Sequence, residues 1–323
     1  MNRDEFIMGF NARYRQRKPF VFLIDFEREQ FILFDENEAV KNRFWLAFGQ
    51  RGLFPAYVSV KRPSLLRIHP VSYDEFKEKF DRVIYHLRRG DTYLLNLTFS
   101  TPVELKGSLQ DVFYAVSAPF KAYFDDRFVF FSPEKFVIID EHTIRTFPMK
   151  GTADASKPGA RKQLLENKKE QFEHNTVVDL LRNDISLVSI DVEVRKYRYI
   201  DEITTTKGKI LQVSSEIAGR LDSRWFAGPA ESFLRMLPAG SVSGAPKPKT
   251  LEIIRRVEGE KRGFYTGITG WFDGQKLVSA VNIRYIERQN GKLFYRSGGG
   301  ITALSNLQDE YEEYIRKIYL PLA

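Results

Sequence analysis

Two dipeptides constrain this chain most: Asp273-Gly274 and Asn290-Gly291. Each separates runs rich in apolar, β-branched and aromatic residues. "YTGITGWF" precedes the first, "KLVSAVNIRYI" lies between them and "KLFYRSGGGI" follows the second. Asp-Gly and Asn-Gly tolerate the positive φ angles that two-residue hairpin turns need, so residues 264–301 read as an antiparallel meander. Residues 20–34 read as two further short strands around a polar turn. Residues 73–90 spell an amphipathic helix with Phe76, Phe80, Val83, Ile84 and Leu87 on one face and Gly90 at its end. More helices are predicted over 160–183, from near Pro229 and from near Lys247. The last one opens "SNLQDEYEEYIRKIY", with Ser305 and Gln308 as a capping box and Tyr311, Tyr314, Ile315 and Ile318 toward the core. Strands and helices mix without regular βα alternation. The expected fold class is therefore α+β, built on antiparallel sheets. No repeat or linker divides the chain, so residues 1–70 are expected to complete a unit whose residues 71–323 carry the site.

Composition removes several function classes. The chain has 323 residues and no cysteine, which rules out disulfides, thiolate catalysis and cysteine-held metals. No apolar run approaches the roughly 20 residues that span a bilayer, and the opening segment lacks a signal-peptide core, so a cytoplasmic protein without a membrane partner is expected. The formal charge of +8 is scattered; its densest cluster, Arg13, Arg15, Arg17 and Lys18, is short. No recognition helix, zinc finger or aromatic–basic platform accompanies it, which argues against nucleic acid and for an enzyme acting on small anions.

Four places could carry chemistry. A hairpin about residue 141 would bring Glu134 near residue 148, so that Glu134 and Lys150 emerge at one end. Such a pair can trade a proton, although a surface ion pair is the plainer alternative. Glu170 and Glu173, and again Glu310 and Glu313, stand at i, i+3 on two helices; four such carboxylates suit Mg²⁺, unless they are merely solvated. "LPAGSVSGAPKPKTLEII" is a glycine-containing loop running into a helix, without the P-loop lysine. It suits an anion or is only structural. Finally, the two hairpins place Tyr265, Arg284 and Gly298, Gly299 and Gly300 together, a fork, a phenol and amides matched to a carboxylate. A small dicarboxylate fits this inventory better than a polymer.

These segments resemble the chorismate-utilising enzymes, the anthranilate, aminodeoxychorismate, isochorismate and salicylate synthases. The matching stretches are "GDTYLLNLT", "SPEKF", "PMKGT", "KKEQFEHNTVVDLLRND", "PAGSVSGAPKPKT", "YTGITGWF", "VNIRY" and "GGGIT…EYEEYIRK". They fall in the family's order over about residues 73–317. The resemblance implies an anthranilate synthase component I-like fold, with antiparallel sheets packed together and flanked by helices. Within it, the lysine of Pro148-Met149-Lys150-Gly151-Thr152 resembles aminodeoxychorismate synthase component I, whereas anthranilate synthases carry alanine there. That implies amination of chorismate to 4-amino-4-deoxychorismate, on the way to 4-aminobenzoate and folate.

In the mechanism so implied, Lys150 is the nucleophile, made neutral by burial, and Glu134 is the acid. Mg²⁺ is held through Glu170, Glu173, Glu310 and Glu313. Thr152 is a substrate-binding residue; the loop amides near Ser241 and Gly244 meet the ring carboxylate, and Tyr265, Arg284 and the amides of Gly298, Gly299 and Gly300 meet the enolpyruvyl one. Ammonia is expected from a separate glutamine amidotransferase subunit, and a separate enzyme is expected to complete 4-aminobenzoate. The chain departs from the family pattern at Gln212, where relatives often carry histidine, at Leu94, where many carry glutamine, and in a shorter N-terminal region, which casts doubt on a regulatory tryptophan pocket. Anthranilate or isochorismate synthesis is the same-fold alternative, and a non-catalytic basic binding protein the different-class one.

Overall fold

The computed structural model describes residues 1–56, 61–205 and 208–322. Among them are two antiparallel sheets of nine strands each. The first runs in the order Met149–Asp154, Gly208–Leu221, Thr143–Thr146, Lys135–Asp140, Lys276–Val281, Ile268–Phe272, Phe20–Ile24 and Phe31–Phe34, with Ser189–Thr205 also paired to Gly208–Leu221. The second runs Gly244–Ala245, Leu94–Lys106, Lys292–Ile301, Tyr285–Gln289, Phe128–Ser132, Phe120–Phe124, Phe44–Phe48 and Arg51–Leu53, with Ser64–Ile68 on Leu94–Lys106. Residues 1–70 thus supply strands to both sheets.

Alternation along the strands explains the layering, since successive side chains leave a strand on opposite faces. In Phe20–Ile24 every residue is buried. Val21 and Leu23 pack between the sheets with Phe44, Phe128, Phe130 and Trp271. Phe20, Phe22 and Ile24 pack outward against Phe6, Phe10, Leu181 and Phe233, which lie on the helices Arg3–Arg15, Lys168–Ser186 and Pro229–Arg235. The outer face of the second sheet, through Leu95, Leu97 and Phe99, takes Phe76, Phe80, Ile253 and Tyr314. Those come from the helices Tyr73–Arg88, Lys247–Glu258 and Leu307–Arg316. The result is helix, sheet, sheet, helix, an α+β fold.

Several local expectations need correction. The helix expected over 160–183 is two helices, Ala160–Glu166 and Lys168–Ser186. Asn167 parts them, its side chain accepting from Glu170 N, as asparagine favours a cap over a helix interior. The last helix is capped by Asn306, which accepts from Gln308 N and Asp309 N, and not by Ser305, whose hydroxyl accepts from Thr302 N. Ile315 is 36% exposed and does not face the core.

The largest difference is that two predicted strands break. "KLVSAVNIRYI" leaves the first sheet after Val281 and enters the second at Tyr285. Asn282 makes the crossing: its N–H donates to Gly267 O and its Nδ2 to Phe264 O, while its Oδ1 accepts from Thr269. "FVFFSPEKFVIID", the first arm of the expected hairpin about residue 141, likewise leaves the second sheet after Ser132 and enters the first at Lys135. Pro133, without an N–H, cannot continue a ladder.

Candidate active site

The two crossings lie side by side and deliver two of the expected residues. Phe131 N donates to Arg284 O, and Val281 N to Glu134 O, each at 3.1 Å. Arg284 has φ +53, a conformation that turns the chain between sheets. Glu134 and Arg284 therefore enter one cavity, of about 440 Å³, which also receives Lys150, Glu173, Tyr265 and Gly299.

Lys150 reaches the cavity through a bulge. The pairing Met149↔Ser214 is followed by Thr152↔Gln212, so an extra residue sits between them and the strand turns. Gly151 takes φ +84 there, and a Cβ on it would stand 3.1 Å from Glu170 Oε2. Lys150 Nζ lies 2.7 Å from Glu173 Oε2, with about three-quarters of the side chain buried. The surface pair with Glu134 is not what forms. Nor is Lys150 neutral for being buried: desolvation pulls its pKa down, but Glu173, Glu313 and Glu170 together hold it above the usual value. Glu134 accepts a hydrogen bond from Ser241 Oγ. Burial raises its pKa, against the opposing pull of Ser241, Arg284, Lys317 and Lys150.

The carboxylate doublets face the same space. Glu170, Glu173 and Glu313 line the cavity. Glu310, 6% exposed, stands with Glu313 and Lys317 around Gly299, where a Cβ would be 3.5–3.6 Å from all three side chains. Hard oxygen donors from two helices on one side of a cavity fit a divalent cation such as Mg²⁺. Among the described residues no three carboxylates or histidines converge on a single point. The ammonium groups of Lys150 and Lys317 stand among them instead, Lys317 Nζ lying 2.6 Å from Glu313 Oε1.

A guanidinium, phenols and the glycine strand form another part of the lining. Tyr285 pairs with Arg296, the register neighbour of the expected Arg284–Ser297 pair. Beyond Arg296 the strand Tyr285–Gln289 has ended, so Ser297–Ile301 is paired on one edge only, to residues 95–99. Thr98 N donates to Glu258 and Asn96 N to Ser243 O, so neither faces its partner, Gly298 or Gly300. The amides of Gly298 and Gly300 consequently point to the free edge, and that of Gly299 into the ladder. Arg284 acts on the Glu134 carboxyl but makes no salt bridge among the described residues; the phenols of Tyr265, Tyr295 and Tyr319 surround it. Tyr265 is fully enclosed and its pKa is pushed up to about 12, so it is a neutral hydrogen-bonding phenol.

A sequence profile of chorismate binding enzymes matches residues 37–323. The chain belongs to the chorismate-binding enzyme family. An uncharacterised PabA-like protein of Haemophilus influenzae is 48% identical over 322 residues, covering 99% of this chain and 97% of that protein. Aminodeoxychorismate synthase component 1 of Klebsiella aerogenes is 29% identical over 312 residues, covering 92% of this chain and 67% of that one. Anthranilate synthase component I of Streptococcus pneumoniae superposes with a TM-score of 0.66 at 28% identity, over 82% of this chain and 61% of that one. No helix among the described residues is long and apolar enough to cross a membrane.

In this member of the chorismate-binding family, the expected loop-and-helix anion site does not form. Gly240 N is spent on Asp184 Oδ2, Val242 N on Ala239 O and Ser243 N on Gly240 O. The helix start is occupied by Lys247, whose Nζ is 2.6 Å from Asp184. Gly244 is away from the cavity, paired to Leu95, and a Cβ on it would lie 1.9 Å from Leu94 O. Its glycine thus serves close backbone approach. Ser241 alone of that loop's expected residues reaches the cavity, through Glu134. The side chain of Thr152 lies outside the described residues.

Gln212 and Leu94 both line the cavity. His174 does not: it is buried behind, its Nε2 2.7 Å from Ser215 Oγ, and burial lowers its pKa to about 4. Lys317, Arg296 and Tyr319 are among the cavity residues that the sequence did not single out. Lys317 donates to Gly298 O at 2.7 Å, and burial lowers its pKa. Arg296, 1% exposed, pairs with Glu260 and Glu287 and sits 5.5 Å from the Tyr265 ring centre. Tyr319 lies in the tail after the last helix. Lys317 repeats the spacing Glu310–Glu313–Lys317 on one helix face, a signal that could have found it.

Proposed function

We propose that this chain aminates chorismate, giving 4-amino-4-deoxychorismate. The observation that carries the reading is the entry of Lys150 and Glu134 into one cavity that Glu170, Glu173, Glu313 and Arg284 also line. The likeness to aminodeoxychorismate synthase component 1 supports the same choice.

In this reading Arg284, Tyr265 and the Gly298 and Gly300 amides hold the enolpyruvyl carboxylate. Glu134, kept protonated by burial, gives its proton to the C4 hydroxyl, which departs as water. Lys150 passes a proton to Glu173, and the freed amine bonds to ring C2 as the two ring double bonds shift toward C4. Ammonia then bonds to C4, the double bonds shift back and the C2–N bond to Lys150 breaks; the C4 ammonium returns a proton to Glu134, and Lys150 regains one from Glu173. The net exchange is ammonia in and water out. Glu170, Glu173, Glu310 and Glu313 would hold Mg²⁺, which when bound offsets the ring carboxylate's charge and orients it. Ser241 keeps the Glu134 carboxyl aimed. The ammonia source is proposed to be a separate glutamine amidotransferase, with the reaction placed in the cytoplasm on the way to 4-aminobenzoate and folate.

Incubation with chorismate, Mg²⁺ and ammonium, followed by product chromatography, tests this. Aminodeoxychorismate without pyruvate release is expected, and Lys150→Ala should abolish it. Anthranilate with pyruvate, or isochorismate, would overturn the amination reading in favour of the alternative chemistry of the fold.

A further inference from the structure

Residues 317–322 leave the last helix and run back over the cavity. Tyr295 Oη donates to Tyr319 O at 3.1 Å, Ser117 N donates to Pro321 O at 2.8 Å, and Leu322 bridges Val116. Ile318 is buried beside Tyr319. The tail is thus tied on both sides of Tyr319, whose own side chain remains 45% exposed and lines the cavity. Its ring centre is 5.6 Å from Arg284 Cζ, so the phenol and the guanidinium are direct neighbours.

A phenol can accept and donate at once. The Tyr319 ring lies beside Arg284 at the cavity wall, and its O–H donates to no acceptor among the described residues. A donor left unspent beside a guanidinium that makes no salt bridge is available to the anion that the guanidinium takes. We propose that Tyr319 is a substrate-positioning residue: its hydroxyl donates to the carboxylate bound by Arg284, and the tethered C-terminal tail is the wall that carries it. This rests on the chorismate reading, in which that carboxylate is the enolpyruvyl one.

The test uses Tyr319→Phe, which keeps the ring over Arg284 and removes only the donor. Chorismate and its methyl ester at the enolpyruvyl carboxylate are titrated into both proteins in Mg²⁺, and kcat is measured at saturating chorismate. We expect the variant to bind chorismate roughly tenfold more weakly, the size of one hydrogen bond to a charged group, with kcat unchanged. The ester should bind both proteins equally. If Tyr319→Phe binds chorismate like the unsubstituted protein while the ester binds both more weakly, the Tyr319 role is overturned and the chorismate reading stands. Equal weakening for chorismate and ester would make Tyr319 a structural residue, which also overturns it. No chorismate binding by the unsubstituted protein overturns both.

Discussion

Lys150 Nζ and Glu173 Oε2 are 2.7 Å apart, so without substrate the candidate nucleophile is held as an ammonium by a neighbouring carboxylate. Removing that carboxylate takes away a stabiliser of the charged form and lowers the lysine's pKa. Glu173→Gln should therefore shift the pH dependence of Lys150 labelling by an amine-reactive reagent toward lower pH. Mass spectrometry of the labelled peptide reads this without relying on turnover. An unshifted profile would show that Glu173 does not control the amine.

Glu134 is raised by burial and is proposed to act as the acid. An acid catalyst is lost as pH rises through its pKa, so the amination rate should fall on that limb. Glu134→Gln retains an oxygen for Ser241 but no transferable proton. The rate should drop by on the order of 100-fold or more, with chorismate affinity changed little. A variant with an undiminished rate would remove Glu134 from the chemistry.

Neighbouring glycines should separate folding from function. A Cβ at Gly298 would lie 2.2 Å from Leu97 O, whereas one at Gly299 meets the side chains of Glu313, Lys317 and Glu310 at ordinary contact distance. Gly298→Ala should destabilise the protein by about 2 kcal/mol or more, as backbone clashes do. Gly299→Ala should fold near normally yet bind Mg²⁺ and chorismate poorly. Denaturant midpoints and titrations of the two variants decide this.

Asp25 supplies a stability prediction remote from the cavity. It is 2% exposed, and burial raises its pKa to about 6 although Glu29 N and Gln30 N donate to it. A carboxyl with a higher pKa in the folded than in the unfolded chain binds more protons when folded. Stability thus falls as pH rises from about 4 to about 6 and stays low above that. Asp25→Asn keeps the acceptor oxygen and removes the titration. It should match the unsubstituted protein near pH 4 and exceed it at pH 7 by on the order of 1 kcal/mol, allowing for partial solvent screening. Urea unfolding at the two pH values measures this.

Turn dipeptides made the clamp legible. Once Asn290-Gly291 and Asp273-Gly274 are hairpin turns, the residue numbers facing each other are set, and Arg284 falls beside Ser297 whether or not the strand is continuous. The apolar face of 73–88 was equally readable, with all five expected residues buried. Passage from one sheet to another was not, because apolar alternation looks the same in either sheet. Pro133 and Asn282 were the only local marks of it. Tyr319 and Arg296 depend on where distant segments dock, which spacing does not encode. Gly244 misled because a glycine required by backbone proximity and one offering an amide to a ligand look alike in sequence.

The hydrogen bonds between the two crossings join Phe131 to Arg284 and Val281 to Glu134. They tie the proposed acid and the proposed anchor into a single backbone unit that belongs to neither sheet alone. Sliding of one sheet over the other would carry Glu134 and Arg284 together. Lys150, on an outer strand, and the carboxylates, on two helices, would move relative to that unit. Under the proposed roles, the distance from Arg284 to Glu134 would be a fixed gauge for the length of the substrate, and the reach of Lys150 the adjustable dimension.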